Sequence, residues 1–339
     1  MVIGNQSRCG VLRALGLALT LAATPLVADP ASPAGFAAQV RQLLDEGDLA
    51  TLLAAVDSAA LARDAGLDDN AAAIIRRIQQ QLASQRFHTA RVYQHADQVH
   101  VRLDLSPEGL GWLTLTGEAG ERLVLRGWQD NVLGASLAEL VASMAKRAED
   151  RRGRRFLDQL ATDPLAAWRS LSAAQQDSAA ARLLLMSCAS AGCYDAALAR
   201  LDALEGDTTP ALWQLDAAAL ARDWRRFDRV HTALQSRLGE DPALVMLGAQ
   251  AALARDNCPD ALARATPAQQ RWPDYPGLYP VLAECRVRTG EYEAALSVFD
   301  EMYTRFGTQI DWSAMAEHPV YAALVASDAY RRWRADTSH

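Results

Sequence analysis

The residues of this 339-residue chain best equipped for chemistry are its histidines, its cysteines and two arginine runs. His95 and His100 flank one short turn and would share a face of a hairpin, with Asp104 about two residue pairs farther along. Two imidazoles make a poor metal site, because zinc takes at least three protein ligands. His88, His231, His318 and His339 read as isolated side chains. No phosphate loop, dinucleotide fingerprint, H-E-x-x-H or G-x-S-x-G occurs. Cys188 and Cys193 are five apart, which suits neither a zinc knuckle nor a C-x-x-C redox motif. No catalytic residue, cofactor or metal is therefore expected, and binding is left as the chemistry to look for.

The strongest binding-type cluster lies on an expected sheet. Val99, Val101, Leu103 and Leu105 alternate with Gln98, His100, Arg102 and Asp104, the signature of a strand with one apolar face. Ala96-Asp97 turns it back onto a strand over His88–His95, with His95 opposite Gln98 and Val92 opposite Val101. Ser106-Pro107-Glu108-Gly109 makes the next turn, and Leu110–Gly117 forms the third strand. Glu118-Ala119-Gly120 fits a three-residue loop that would pair Leu115 with Leu123 and Leu113 with Leu125. The fourth strand is Leu123–Trp128. In this register one face carries Arg91, Tyr93, His100, Arg102, Trp112 and Arg126. These are types that make binding hot spots, and they also suit an ordinary wet sheet face. On either reading, alanine at Arg102 or Trp112 leaves folding intact.

Helices flank the meander. Phe36–Leu44 and Leu49–Val56 read as two short helices split at Gly47-Asp48, and Ala71–Leu82 as a third with Asn70 as its cap. Leu137–Asp150 is a helix able to lie on the sheet. The order helices, four-strand meander, helix describes an α+β layer over residues 29–155. Around Gly153 sit Lys146, Arg147, Arg151, Arg152, Arg154 and Arg155: a solvated helix end and linker, or an anion-binding patch.

Residues 1–28 form a secretory signal pattern. Arg8 and Arg13 precede the apolar run Ala14–Ala23, and Leu26-Val27-Ala28 offers cleavage after Ala28. Its loss would take Cys9 with it and move the net charge from −7 to −9. An acidic chain repels phosphate, so nucleic acid is not an expected partner. No later stretch is long and apolar enough to span a bilayer, so the mature chain is expected in the periplasm or secreted. Four cysteines then remain, in a compartment that permits disulfides.

The second half is periodic. Tyr279–Phe306 contains two helical patterns around Thr289-Gly290-Glu291, with Ala283 and Ala295 where two helices must come close. Tyr194, Phe227, Cys258 and Tyr292 follow at intervals of 33, 31 and 34 residues, each with Ala197, Val230, Ala261 or Ala295 three residues later. Arg225 and Asp256 stand where turn glycines are expected in the second and third units. This pattern resembles the tetratricopeptide repeat, a helix–turn–helix unit of about 34 residues. The resemblance covers about residues 178–307 and implies a curved solenoid whose first helices line a groove. His318-Pro319 and Val320–Trp333 would cap it, with Arg331, Arg332 and Arg334 facing water.

Carried onto this chain, the groove residues are Arg182, Met186, Leu215, Ala219, Arg222, Met246, Gln250, Leu253, Glu284 and Arg288. The lysine and asparagine clamp of chaperone-binding relatives is absent, and Lys146 is the only lysine. A mixed, Met-rich floor suits a helical or extended peptide. Arg222, Trp224, Arg225, Arg226 and Arg229 make a basic run, either solvated or facing an acidic partner. In antiparallel units, Cys258 and Cys285 would meet at adjacent helix ends, so Cys258–Cys285 and Cys188–Cys193 are the disulfides to test.

The expected molecule is mainly α, with an α+β N-terminal domain followed by a helical repeat domain over residues 156–339. Its expected role is a non-enzymatic, exported scaffold for a protein or peptide partner. The alternative is a small-ligand or anion-binding role for the N-terminal sheet.

Overall fold

A computed structural model describes residues 32–45, 49–64, 76, 87–105, 109–120, 123–160, 162–206 and 209–336. The expected signal segment, the helix over 71–82 apart from residue 76, the Gly47-Asp48 break and most of the turn at 106–109 lie outside them. The protein is mainly helical, with one antiparallel sheet N-terminal to a helical region. The chain divides into two compact units, residues 23–218 and 219–339. The boundary expected at 155/156 instead falls inside a helix of the first unit.

In the first unit, helices α1 (Pro33–Asp45), α2 (Leu49–Ala54) and α3 (Ser58–Asp64) precede the sheet. Five strands follow in sequence order: β1 (Phe87–His95), β2 (Gln98–Leu105), β3 (Gly109–Glu118), β4 (Val124–Asp130) and β5 (Ala135–Ser136). The fifth was not expected; it is two residues long and pairs with the end of β4. The β1–β2 register is the expected one, His95 opposite Gln98 and Val92 opposite Val101. Ala96 in its two-residue turn has φ +50°, the left-handed conformation that tight hairpins need.

The β3–β4 register differs. Leu115 faces Trp128 and Leu113 faces Asp130, while Gly117 faces Leu125. Between the pairs Thr116–Gly127 and Gly117–Leu125, β4 carries one extra residue, Arg126. This bulge turns Leu125 and Trp128, three residues apart, into the same core, which strict alternation would forbid. It also explains Gly117: a Cβ there would lie 2.3 Å from the Val124 carbonyl oxygen. Val40, Leu52, Val101 and Leu125 lie at the centre of this core.

Helix α4 (Leu137–Ala148) opens with a capping box, Ser136 accepting from the Glu139 amide and Glu139 accepting from the Ser136 amide. After it come α5 (Arg151–Gln159), α6 (Pro164–Ser170), α7 (Ser178–Ala191), α8 (Tyr194–Glu205) and α9 (Ala211–Leu220). Phe156, Trp168, Leu184, Leu198 and Trp213 form their shared core. The arginine run is helical. Asp150 caps α5 by accepting from the Arg152 and Gly153 amides at 2.6 and 2.8 Å. Arg147 departs from the solvated expectation. It is buried, ion-paired with Asp177 at the cap of α7, and donates to the Gln175 carbonyl. The rest of the run is exposed.

The second unit holds α10 (Trp224–Leu238), α11 (Pro242–Ala254), α12 (Cys258–Arg271), α13 (Tyr279–Arg288) and α14 (Tyr292–Phe306). Small residues line its interior: Ala249, Ala252, Ala261, Ala265, Ala283 and Ala295 are all buried. Such side chains let helix axes approach closely. Three short helices, α15 (Trp312–Glu317), α16 (Ala322–Val325) and α17 (Asp328–Asp336), close the end. Trp312 stacks edge-on to Phe299 and packs on Trp333, whose indole donates to Asp300 at 3.0 Å. Arg331, Arg332 and Arg334 are exposed.

The turns repeat one backbone conformation. Gly192, Arg222, Asp256 and Gly290 all have positive φ, and in each case a helix begins two residues later. They are spaced 30, 34 and 34 residues apart. Trp224, not Phe227, therefore occupies the slot shared by Tyr194, Cys258 and Tyr292, and Arg222 holds the turn in place of the expected Arg225. Phe227 takes the slot filled elsewhere by Ala197, Ala261 and Ala295. There it lies buried, stacked on His231 with ring centroids 5.8 Å apart.

Candidate functional site

The second face of the sheet is not wet. His100, Arg102 and Trp112 are 0, 3 and 0% exposed, and Thr114 and Asn131 are buried with them. Several of the groups bond one another across strands. The Trp112 indole donates to the Tyr93 hydroxyl at 3.0 Å. His100 Nδ1 and the Thr114 hydroxyl are 3.0 Å apart, and Asn131 Nδ2 donates to the same hydroxyl at 2.9 Å. Arg102 reaches Asp104 at 3.1 Å, and Arg91 lies 4.6 Å above the Tyr93 ring. Arg126 stands apart from this group. It is exposed and holds Glu118 at 2.8 Å, because the bulge makes it the extra residue of β4. The expected surface cluster is thus an internal polar layer, and a ligand there would have to displace bonds the protein already makes.

A second feature went unnoticed in the sequence. Tyr194, at the start of α8, donates its hydroxyl to Asp216 on α9. Just before it, Cys193 caps the helix and is disulfide-bonded to Cys188, which ties the α7–α8 turn. Burial pushes the Asp216 carboxyl up to about 6, with Asp195 adding to the rise and the Tyr194 hydrogen bond opposing it. Burial also raises Asp130 to about 6, against the pull of the Leu133 and Val132 amides. A lone acid inside the apolar run Leu212–Leu220 is the signal that could have found this pair.

Both folded values lie above the ordinary 3.8. The stability linked to these protons is fully present below pH 3.8 and is lost as pH rises through about 6. Stability is therefore expected to increase between pH 7 and pH 5. Asp216→Asn should raise stability at pH 7 by on the order of 1–2 kcal/mol and flatten that rise. Unfolding midpoints measured across this range check it, and an unchanged slope in the variant would show that Asp216 does not titrate there.

The expected groove set is divided by the structure. Leu215 is a core residue, 1% exposed, and Arg222 sits in a left-handed turn rather than on a helix face. Met186 is exposed, and Arg182 is held by Glu205 at 2.7 Å. Ala219 is half-buried near the end of α9. In the second unit, Met246, Gln250 and Leu253 lie half-buried on α11, and the Met246 sulfur meets the Tyr275 hydroxyl at 3.6 Å. Glu284 and Arg288 pair along α13 at 2.6 Å, and Arg288 also reaches Asp256 at 2.8 Å. Of the basic run, Trp224 is covered by Arg255, which lies 5.0 Å over its ring and binds Asp228 through both guanidinium arms.

No protein-family model, curated protein or solved structure matches this chain. Beside Arg288 an open cleft of about 620 Å³ is lined by Asp256, Cys258, Tyr292 and Val320 among others. Cys258 and Cys285 are free, buried thiols; the bond expected between them is not formed. Among the described residues, no group of three or more His, Cys, Asp or Glu side chains is placed to hold a metal. No described helix is long and apolar enough to cross a membrane.

Proposed function

We propose that the protein is an exported, non-enzymatic adaptor of the tetratricopeptide type, which holds a protein or peptide on its helical-repeat surface. The observation that carries this reading is the recurring turn: Gly192, Arg222, Asp256 and Gly290 share one left-handed conformation at near-constant spacing, each just ahead of a helix. Arginine and aspartate adopt that conformation at a cost, so its recurrence without glycine supports a repeated unit rather than chance. The small-ligand alternative has less support, because the sheet face that would serve it is closed and internally bonded.

Gln250 and Glu284, partly exposed on α11 and α13, test the surface without touching the core. The full mature chain and a Gln250→Arg/Glu284→Arg variant would each be used for affinity capture from an envelope extract. The adaptor reading expects a defined partner whose recovery falls at least about tenfold in the variant, about 1.4 kcal/mol or more of binding. A wild-type chain that retains nothing, or equal recovery with both chains, refutes it.

A further inference from the structure

Two thiols in the second unit have no part in the adaptor reading. Cys258 is the first residue of α12 and lines the open cleft. Cys285, in the last turn of α13, is 0% exposed. On the cleft wall Cys258 stands beside Val287, Arg288 and Thr289, the residues that follow Cys285 by two to four positions on and just past α13. An independent contact brackets the same helix ends: Asp256, two residues before Cys258, bonds Arg288, three residues after Cys285, at 2.8 Å. Burial holds the Cys285 thiol protonated, above the usual thiol range. One thiol therefore meets the cleft while the other waits in the core.

We propose that Cys258 and Cys285 form a redox-active dithiol, in which Cys258 exchanges with a small-molecule disulfide in the cleft and Cys285 resolves the product. Cys258 gives its proton to solvent and its sulfur attacks one sulfur of the disulfide RSSR. The S–S bond of RSSR breaks, and the leaving RS⁻ takes up a proton. Cys285 then loses its proton, attacks the Cys258 sulfur and expels the second RS⁻, which is protonated in turn. Two protein thiols are oxidised to one intramolecular bond, and RSSR is reduced to two RSH. The new bond would join the start of α12 to the end of α13, linking consecutive hairpins. The Cys188–Cys193 bond, by contrast, closes a single turn.

The test uses the full chain and oxidised glutathione as the disulfide, under native conditions, with acid quenching, alkylation and non-reducing peptide mapping. The wild type should show glutathione on Cys258 first, then a linked Cys258–Cys285 peptide. Cys285→Ser should stop at the Cys258 adduct, and in Cys258→Ser the modification of Cys285 should be at least tenfold slower. The wild-type time course alone decides the order of events if a variant fails to fold. No linked peptide under native conditions, or a first adduct on Cys285, overturns the proposal.

Discussion

Trp112→Ala should cost about 3–5 kcal/mol of stability, the range for deleting a large buried aromatic. Trp112 is 0% exposed at the middle of the sheet, its indole donates to Tyr93, and its carbonyl oxygen accepts from the Asn131 amide at 2.7 Å. Truncation opens a cavity and also leaves the Tyr93 hydroxyl without its indole donor. This reverses what residue types alone suggest, namely that alanine here spares the fold. Urea unfolding read by circular dichroism measures the loss. Trp112→Phe separates its two parts: most of the packing returns, while the missing indole bond leaves a deficit of about 1 kcal/mol. A Trp112→Ala chain within about 1 kcal/mol of wild type would mean that the polar layer does not hold the sheet unit together.

Gly153→Ala should be nearly as damaging, for a backbone reason. Gly153 is buried in the first turn of α5, and a Cβ there would stand 1.9 Å from the Arg147 carbonyl oxygen and 2.8 Å from its carbon. Backbone cannot swing aside as a side chain does, so α4 and α5 would have to part. Such overpacking costs about 1–3 kcal/mol, and the upper end is expected here. Arg147 would move too, straining its ion pair with Asp177. Alanine is otherwise the better helix former, so a neutral or stabilising Gly153→Ala in chemical unfolding would contradict the close approach.

Much of the architecture was legible because local patterns were clean. The β1–β2 register followed from matched alternation on both strands and a two-residue turn. The turn at Gly290 and the burial of Ala283 and Ala295 were visible as a glycine and two small residues in one helix–turn–helix pattern. Legibility failed where a rule of period was broken. The extra residue Arg126 puts Leu125 and Trp128 on one side, and alternation then reads the wrong register. Trp224 and Phe227 are both aromatic and one helical turn apart, and the backbone of Arg222 is what tells which of them follows the turn. Burial of the polar face was hidden for another reason. Histidine, arginine and tyrosine look wet until their partners are known, and Asn131, which bonds Thr114, comes from 17 residues away.

The outer strands of the sheet carry one more implication. A bare strand edge invites a second chain to add on, and polymerisation by that route is a hazard for any sheet protein. Here the β5 side ends in a strand of only two residues, and on the β1 side Arg41 takes the Val92 carbonyl oxygen at 2.9 Å. A bulge twists the strand next to β5 as well. Both flanks are therefore blunted against edge-to-edge growth, which lets many copies crowd together without being drawn into fibres through this sheet.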